Sequence, residues 1–376
     1  MRTRSGNLYP VEDNNNISGR KRKGRDLTGA RKMNCRKRGK PSSGGVDNFD
    51  RLPDELVLSI LTFVGSRADC PADFLAVLAT CKRFRGLGYD SSVLSKASAE
   101  TFGVTAKNWS ESAHRFLKRC SDAGNVEACY TLGMIRFYCF QNWQNGASLM
   151  AKAAMSSHAP ALYSLAVIHF NGSGGSKSKK DLGGGVSLCA RAAFLGHIDA
   201  LRELGHCLQD GYGVTQNITE GRRFLVQANA RELAVARSTI PSALLPGDWL
   251  KLNPVLIRRG NTLIPGCPLL SDFGCNVTPE YHPANRFLAS WFANRIPSPE
   301  LLICSHAGCG RPETRMQEFR RCAACGVVNY CSRACQAQDW KMRHHKECRQ
   351  LMRFHNVIAG GGNVNHNRVE NNVGQR

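Results

Sequence analysis

Ala200-Leu201-Arg202-Glu203-Leu204-Gly205, with the turn Gly211-Tyr212-Gly213-Val214 behind it, has its Ala and Leu four residues apart. That spacing recurs at Ala128/Leu132 and Ala161/Leu165, with Gly133 and Ala166 standing where this copy has Gly205. A second pattern at i, i+3, i+4 and i+7 follows each copy: Ala147/Met150/Ala151/Ala154, Val186/Cys189/Ala190/Ala193 and Gly221/Phe224/Leu225/Ala228. An earlier copy of it stands at Ala113/Phe116/Leu117/Cys120. Apolar residues so spaced share one helix face, and small ones at the contact positions let helices approach closely. One such pair cannot bury its own apolar face, whereas stacked pairs can. A mainly α chain is therefore expected, with three helix pairs and a preceding helix over 107–232. The longer second interval is explained by an insertion, Gly172–Lys180, rich in Gly, Ser and Lys.

These segments resemble Sel-like repeats, relatives of the tetratricopeptide repeat, and Gly211–Val214 matches the family turn. The resemblance implies an α/α solenoid whose curved surface binds a peptide or protein; the alternative is a spacer without a ligand.

N-terminal to the repeats, Leu52-Pro53-Asp54-Glu55-Leu56 starts a helix. Proline suits a first helical position because its missing N–H would be unpaired there, and the two acids favour the positive end of the helix dipole. Leu56, Ile60, Phe63 and Val64 fall on one face; a second start at Pro71-Ala72-Asp73 leads to Cys81-Lys82-Arg83-Phe84. Fifty residues are too few for a generous core, so leftover apolar surface should seek a partner. Residues 47–96 resemble an F-box, with a long inter-helix segment Gly65–Pro71 and Val93-Leu94 in place of the Trp that often ends the motif. The resemblance implies docking to the Skp-type adaptor of a cullin ubiquitin ligase, through Leu52, Pro53, Leu56 and Ile60.

Towards the C-terminus, eight soft ligands stand in the order Cys304-x4-Cys309-x12-Cys322-x2-Cys325-x5-Cys331-x3-Cys335-x8-His344-x3-Cys348. Zinc favours closed four-coordinate S/N sites, and close pairs cannot supply four ligands alone, so two pairs must meet at each ion. Residues 301–350 resemble a MYND zinc finger in ligand order, and Tyr330-Cys331-Ser332 and Gln336-Ala337-Gln338-Asp339-Trp340 match its later half. The family cross-brace then implies two zinc ions. Cys304, Cys309, Cys331 and Cys335 hold one; Cys322, Cys325, His344 and Cys348 hold the other. His344 is preferred to His345 because it keeps the three-residue interval to Cys348. In the family this surface grips proline-containing peptides, which makes Gln336 and Trp340 candidate contacts; for Trp340, core packing is the alternative.

Residues 233–300 carry nine prolines and are expected as an irregular connector or cap, with a helix-like run at Phe287, Leu288, Trp291 and Phe292. The formal charge is +22, of which residues 1–40 hold +10. Apolar residues are sparse in the basic arm 1–46, which is expected to be disordered and to direct the protein to the nucleus, the cytoplasm being the alternative. The Asn/Gly-rich tail 354–376 is also expected to be disordered. Seventeen cysteines without an apolar leader point to a reducing compartment. No run of about 18 apolar residues suggests a membrane span. With two zinc ions and seven thiolates the finger is near +1, a poor footprint for specific nucleic-acid binding. No nucleophile or phosphate-cradling motif stands out, so a non-catalytic role is expected: a substrate-recruiting subunit of a cullin-type ubiquitin ligase, with an unknown protein substrate. A nuclear scaffold or co-regulator without ligase attachment is the alternative.

Overall fold

The computed structural model describes residues 49, 51–239, 255–259, 262–266, 268–271, 273–274, 280–293, 295 and 300–348. The basic arm 1–46, the tail 354–376 and parts of the connector lie outside the described residues.

Pro53 stands immediately before α1 (Asp54–Arg67), its carbonyl accepting from the Leu56 and Val57 N–H groups. Asp73 Oδ2 accepts from the Asp69 and Cys70 N–H groups, each at 3.0 Å, and so opens α2 (Pro71–Thr80). Cys81 caps α3 (Lys82–Gly88) by accepting from the Phe84 N–H at 3.3 Å. Arg83 pairs with Asp54 at 2.6 Å and donates to the Leu52 carbonyl, so the Cys-Lys-Arg-Phe segment fixes the start of α1. In α4 (Ser91–Leu94), Val93 and Leu94 are buried in one cluster with Val57, Leu61, Phe74 and Leu78.

Seven helices follow: α5 (Glu111–Asp122), α6 (Val126–Met134), α7 (Trp143–Met155), α8 (Ala159–Asn171), α9 (Leu182–Phe194), α10 (Ile198–Asp210) and α11 (Ile218–Thr239). Each packs on the next. Asn125, His158 and His197 cap α6, α8 and α10 by accepting from the N–H of Ala128, Ala161 and Ala200. The repeating Ala is thus the third residue of each first helix. The repeat predicted from spacing is one residue out of register in two copies. The buried close-contact positions of the second helices are Gly146, Gly185 and Gly221, not Ala147 and Val186. Spacing could not settle this, because small or apolar residues fill the i, i+3, i+4, i+7 pattern from either start: Gly146, Leu149, Met150 and Ala153 as well as Ala147, Met150, Ala151 and Ala154.

The helices of a pair cross at glycine. A Cβ on Gly205 would lie 2.9 Å from the Gly221 carbonyl oxygen and 2.9 Å from Leu225. Gly205→Ala is therefore expected to cost about 1–3 kcal/mol by overpacking. Gly86→Ala, in α3 with nothing within 4 Å of its Cβ, is expected to stabilise by about 0.4–1 kcal/mol. Urea midpoints of the two variants check the opposite signs.

The connector is more regular than expected. Val255–Arg259 (β1) pairs antiparallel with Thr262–Gly266 (β2), and the helix-like run is α12 (Pro283–Phe292). This helix lies on α6 and the turns around it rather than on the last repeat. Aromatic rings explain the choice: Phe287 meets Trp109 at 5.0 Å and Trp291 meets Phe140 at 5.7 Å, both at the front of the solenoid. The last repeat instead holds residues 268–271, with Asn229 Nδ2 donating to the Leu269 and Ser271 carbonyls at 3.0 and 2.7 Å.

One buried cluster runs through the repeats, α12 and the finger cysteines; the other joins α1–α4 to α5, α6 and Phe287. Among the described residues no helix is long and apolar enough to cross a membrane.

Candidate metal centres and docking faces

The finger is built from short pieces. β3 (Arg320–Arg321) pairs with β4 (Asn329–Tyr330), and between them the Gly326 N–H donates to the Cys322 carbonyl at 2.8 Å. That tight knuckle places Gly326 at φ +66°, a conformation glycine adopts at little cost. Ser332 Oγ accepts from the Cys335 N–H at 3.0 Å and caps α13 (Arg333–Asp339), setting Cys331 just before the cap and Cys335 on the helix's first turn. A π-helical turn, Trp340–His344, then brings His344 inward.

The chain gathers Cys304, Cys309, Cys331 and Cys335 in one group and Cys322, Cys325, His344 and Cys348 in another, each with its ligand atoms within 4.8 Å of one another. The Cys309–Cys331 and Cys331–Cys335 sulfurs are 3.5 and 3.6 Å apart, and Cys325 Sγ lies 3.5 Å from His344 Nε2. A tetrahedron with Zn–S bonds of 2.3 Å has an edge of about 3.8 Å. A disulfide would need about 2.05 Å. The donor set and its spacing therefore fit a closed tetrahedral zinc site in each group. In the first group, burial and hydrogen bonding among the sulfurs raise Cys304. Hydrogen bonds from its three neighbours hold Cys309 well below the usual thiol range. His345 faces elsewhere, its Nδ1 donating to the Trp340 carbonyl at 2.8 Å.

The finger does not stand apart from the repeats. Arg311, buried, reaches Cys309 Sγ at 3.5 Å and Ser164 of α8 at 2.8 Å. Asn171 Nδ2 donates to the Cys331 carbonyl at 2.8 Å, and Tyr163 donates to Ser332 Oγ at 3.0 Å. Lys341 and Arg202 both pair with Glu232, all three buried. The insertion read as a repeat interruption is part of this seam: the Gly174 N–H donates to Thr314 and Arg315 donates to the Gly172 carbonyl. Partners about 140 residues apart leave no periodic signal, so sequence reasoning missed them.

A third group, Glu127, His158 and His282, has the composition of a metal site. Its hydrogen bonds argue otherwise. Nδ1 of His158 accepts from the Ala161 N–H and Nδ1 of His282 from the Ala284 N–H. The ring proton of each is thus on Nε2, facing a Glu127 oxygen 3.1 Å away. Burial would raise Glu127, but these two bonds outweigh it and hold the carboxyl at about 2. The group is a clip that ties α6, α8 and α12 together.

On α1, Val57 and Leu61 face the core, while Leu56, Ile60 and Phe63 are 52%, 40% and 57% exposed. Pro53 is exposed and Leu52 half-buried at the head of this stripe. The apolar face quoted from spacing is thus largely the outward one, with Val64 half-buried at its edge. Gln336 and Trp340 are both half-buried. The Trp340 ring packs 5.7 Å from His344 and 5.9 Å from Phe273.

Helical repeats sealed by a Cys/His finger, behind a four-helix head with an outward apolar stripe, define a class of repeat-and-finger binding protein. Comparisons with known proteins agree. The MYND finger family matches residues 304–348, and the plant tetratrico peptide repeats family matches residues 100–193. An F-box protein of Arabidopsis thaliana, At1g67340, is 66% identical over 329 residues, covering 85% of this chain and 86% of that protein. A second, At5g50450, is 56% identical over 307 residues, covering 81% and 86%. A solved Sel1 repeat protein from Oxalobacter formigenes is 25% identical, covering 33% of this chain and 95% of that one, at a TM-score of 0.29. The chain belongs to the family of these F-box proteins, with helical repeats and a MYND finger.

Proposed function

We propose that the chain is the substrate-recruiting subunit of a cullin-type ubiquitin ligase. Leu52, Pro53, Leu56 and Ile60, with Phe63 beside them, dock a Skp-type adaptor. Ubiquitin transfer is carried by partners. The observation that supports this most is the outward stripe of α1, large apolar side chains left exposed while the opposite side of the helix is sealed. Contiguous exposed apolar surface marks interaction sites. Co-purification with the adaptor tests it; a wild-type chain that never retains the adaptor would move a ligase-free scaffold into first place.

Two zinc ions, one per ligand group, hold the finger closed. With all eight ligands supplied by the chain, neither ion keeps an open position for hydrolysis. The finger and repeats choose the substrate, a proline-containing segment resting at Gln336 and Trp340. The basic arm Arg20–Lys40 directs the chain to the nucleus. A reporter fused to residues 1–45 is expected to accumulate there, and an even distribution would reject that assignment.

A further inference from the structure

Gln336 lines an open cleft of about 490 Å³ together with Arg320, Arg321, Arg333, His206 and Phe273. It is composite: the arginines come from the finger, His206 from α10. Tyr212, in the repeat turn Gly211–Val214, orders two of the guanidinium groups, with Arg320 Cζ 4.6 Å and Arg333 Cζ 5.9 Å from its ring centre. Stacking on an aromatic face holds a guanidinium without using its N–H donors. Arg333 also pairs with Asp210; no carboxylate lines the cleft among the described residues. Burial, helped by Arg333 and Arg202, holds His206 down to about 4, so it is neutral at pH 7 and the arginines set the charge.

We propose that this cleft binds the carboxylate side chain of an acidic residue that neighbours the proline in the recruited segment. The proposal rests on the peptide-binding assignment of Gln336 and Trp340 and adds a specificity to it. Preordered guanidinium forks match carboxylates in geometry as well as charge. A nucleic acid is the poorer fit. Backbone-tracking grooves need a long basic stripe with stacking platforms, whereas here the cations are gathered in one small cleft and the metallated finger is near neutral.

The test uses the full chain and an array of proline-containing 12-residue peptides in matched pairs, one member with Glu flanking the proline and the other with Gln. Hexaglutamate and a 12-nucleotide RNA are titrated alongside. The Glu members are expected to bind roughly tenfold more tightly than the Gln members, as the loss of a charge-assisted contact implies. Arg320→Gln with Arg321→Gln should erase that difference while leaving zinc content and helicity unchanged; Arg321→Gln alone, at an exposed side chain, should reduce it. Equal binding of Glu and Gln members, with Pro→Ala still weakening both, overturns the cleft and spares the proline site. Proline-independent binding of hexaglutamate that the double variant abolishes sustains the cleft and removes the proline site. Failure of both the Glu members and hexaglutamate overturns the cleft, as does RNA binding more tightly than either and being lost in the double variant.

Discussion

Stripping zinc from the full chain is expected to unfold far more than the 45 residues of the finger. Cys304, Cys309, Cys331 and Cys335 belong to the same buried cluster as Tyr163, Leu165 and Ala200 of the repeats. Arg311 spans the boundary between Cys309 and Ser164, and Asn171 holds the Cys331 carbonyl. Without the ions, the buried thiolates lose the cation that keeps them deprotonated, and as they take up protons the buried Arg311 guanidinium loses the negative charge of Cys309 and Cys331 beside it. Structural zinc contributes on the order of 10 kcal/mol or more per site, against about 5–15 kcal/mol for the whole stability of a typical protein. Thermal unfolding followed by helicity should therefore shift down by about 10 °C or more on chelation, at about 2–4 °C per kcal/mol for a domain of this order of size. Cys335→Ala should cost more than Cys207→Ala, whose sulfur is fully buried between repeat helices but lies in neither ligand group. Repeats that keep their full helicity and melting temperature after complete zinc loss would show that the seam adds no stability.

The second large effect concerns α1. Leu56→Ala with Ile60→Ala is expected to weaken adaptor binding a hundredfold or more, since buried apolar anchors at an interface are often worth about 2 kcal/mol each. The same pair should change stability by less than about 1 kcal/mol, because substitutions of exposed side chains usually cost little. Leu61→Ala, one residue further along and fully buried, should behave in the opposite sense and cost about 2–5 kcal/mol of stability. Leu52→Ala with Pro53→Ala should abolish adaptor capture while zinc content is retained. Binding isotherms and urea melts on the same preparations separate the two outcomes; wild-type affinity in both double variants would remove α1 from the interface.

What could be read from sequence followed local chemistry. The eight ligand positions declare themselves because thiols and a histidine at short, paired intervals match the needs of closed four-coordinate zinc sites. The helix starts at Pro53 and Pro71 and the recurring Ala/Leu pairs reflect capping and close packing, which act over three or four residues. What could not be read was set by partners far along the chain. Arg311 looks like one more basic residue until Ser164 and Cys309 are placed on either side of it. Gly172–Lys180 has the composition of a linker, yet its backbone groups hold Thr314 and Arg315. His158 and His282 are 124 positions apart and meet only because α12 returns to the first repeat. The residue-level register of the second helices was likewise ambiguous, because the i, i+3, i+4, i+7 pattern is filled by small or apolar residues whether it starts at Gly146 or Ala147, and at Gly185 or Val186.

Native mass spectrometry of the full chain co-expressed with a Skp-type adaptor tests the central claim most directly, because one spectrum reports both the ligase attachment and the metal. The expected species is one chain, one adaptor and two zinc ions, with the Leu56→Ala/Ile60→Ala chain appearing alone and still carrying both ions. A wild-type chain that holds two zinc ions but never appears with the adaptor would contradict the ligase assignment.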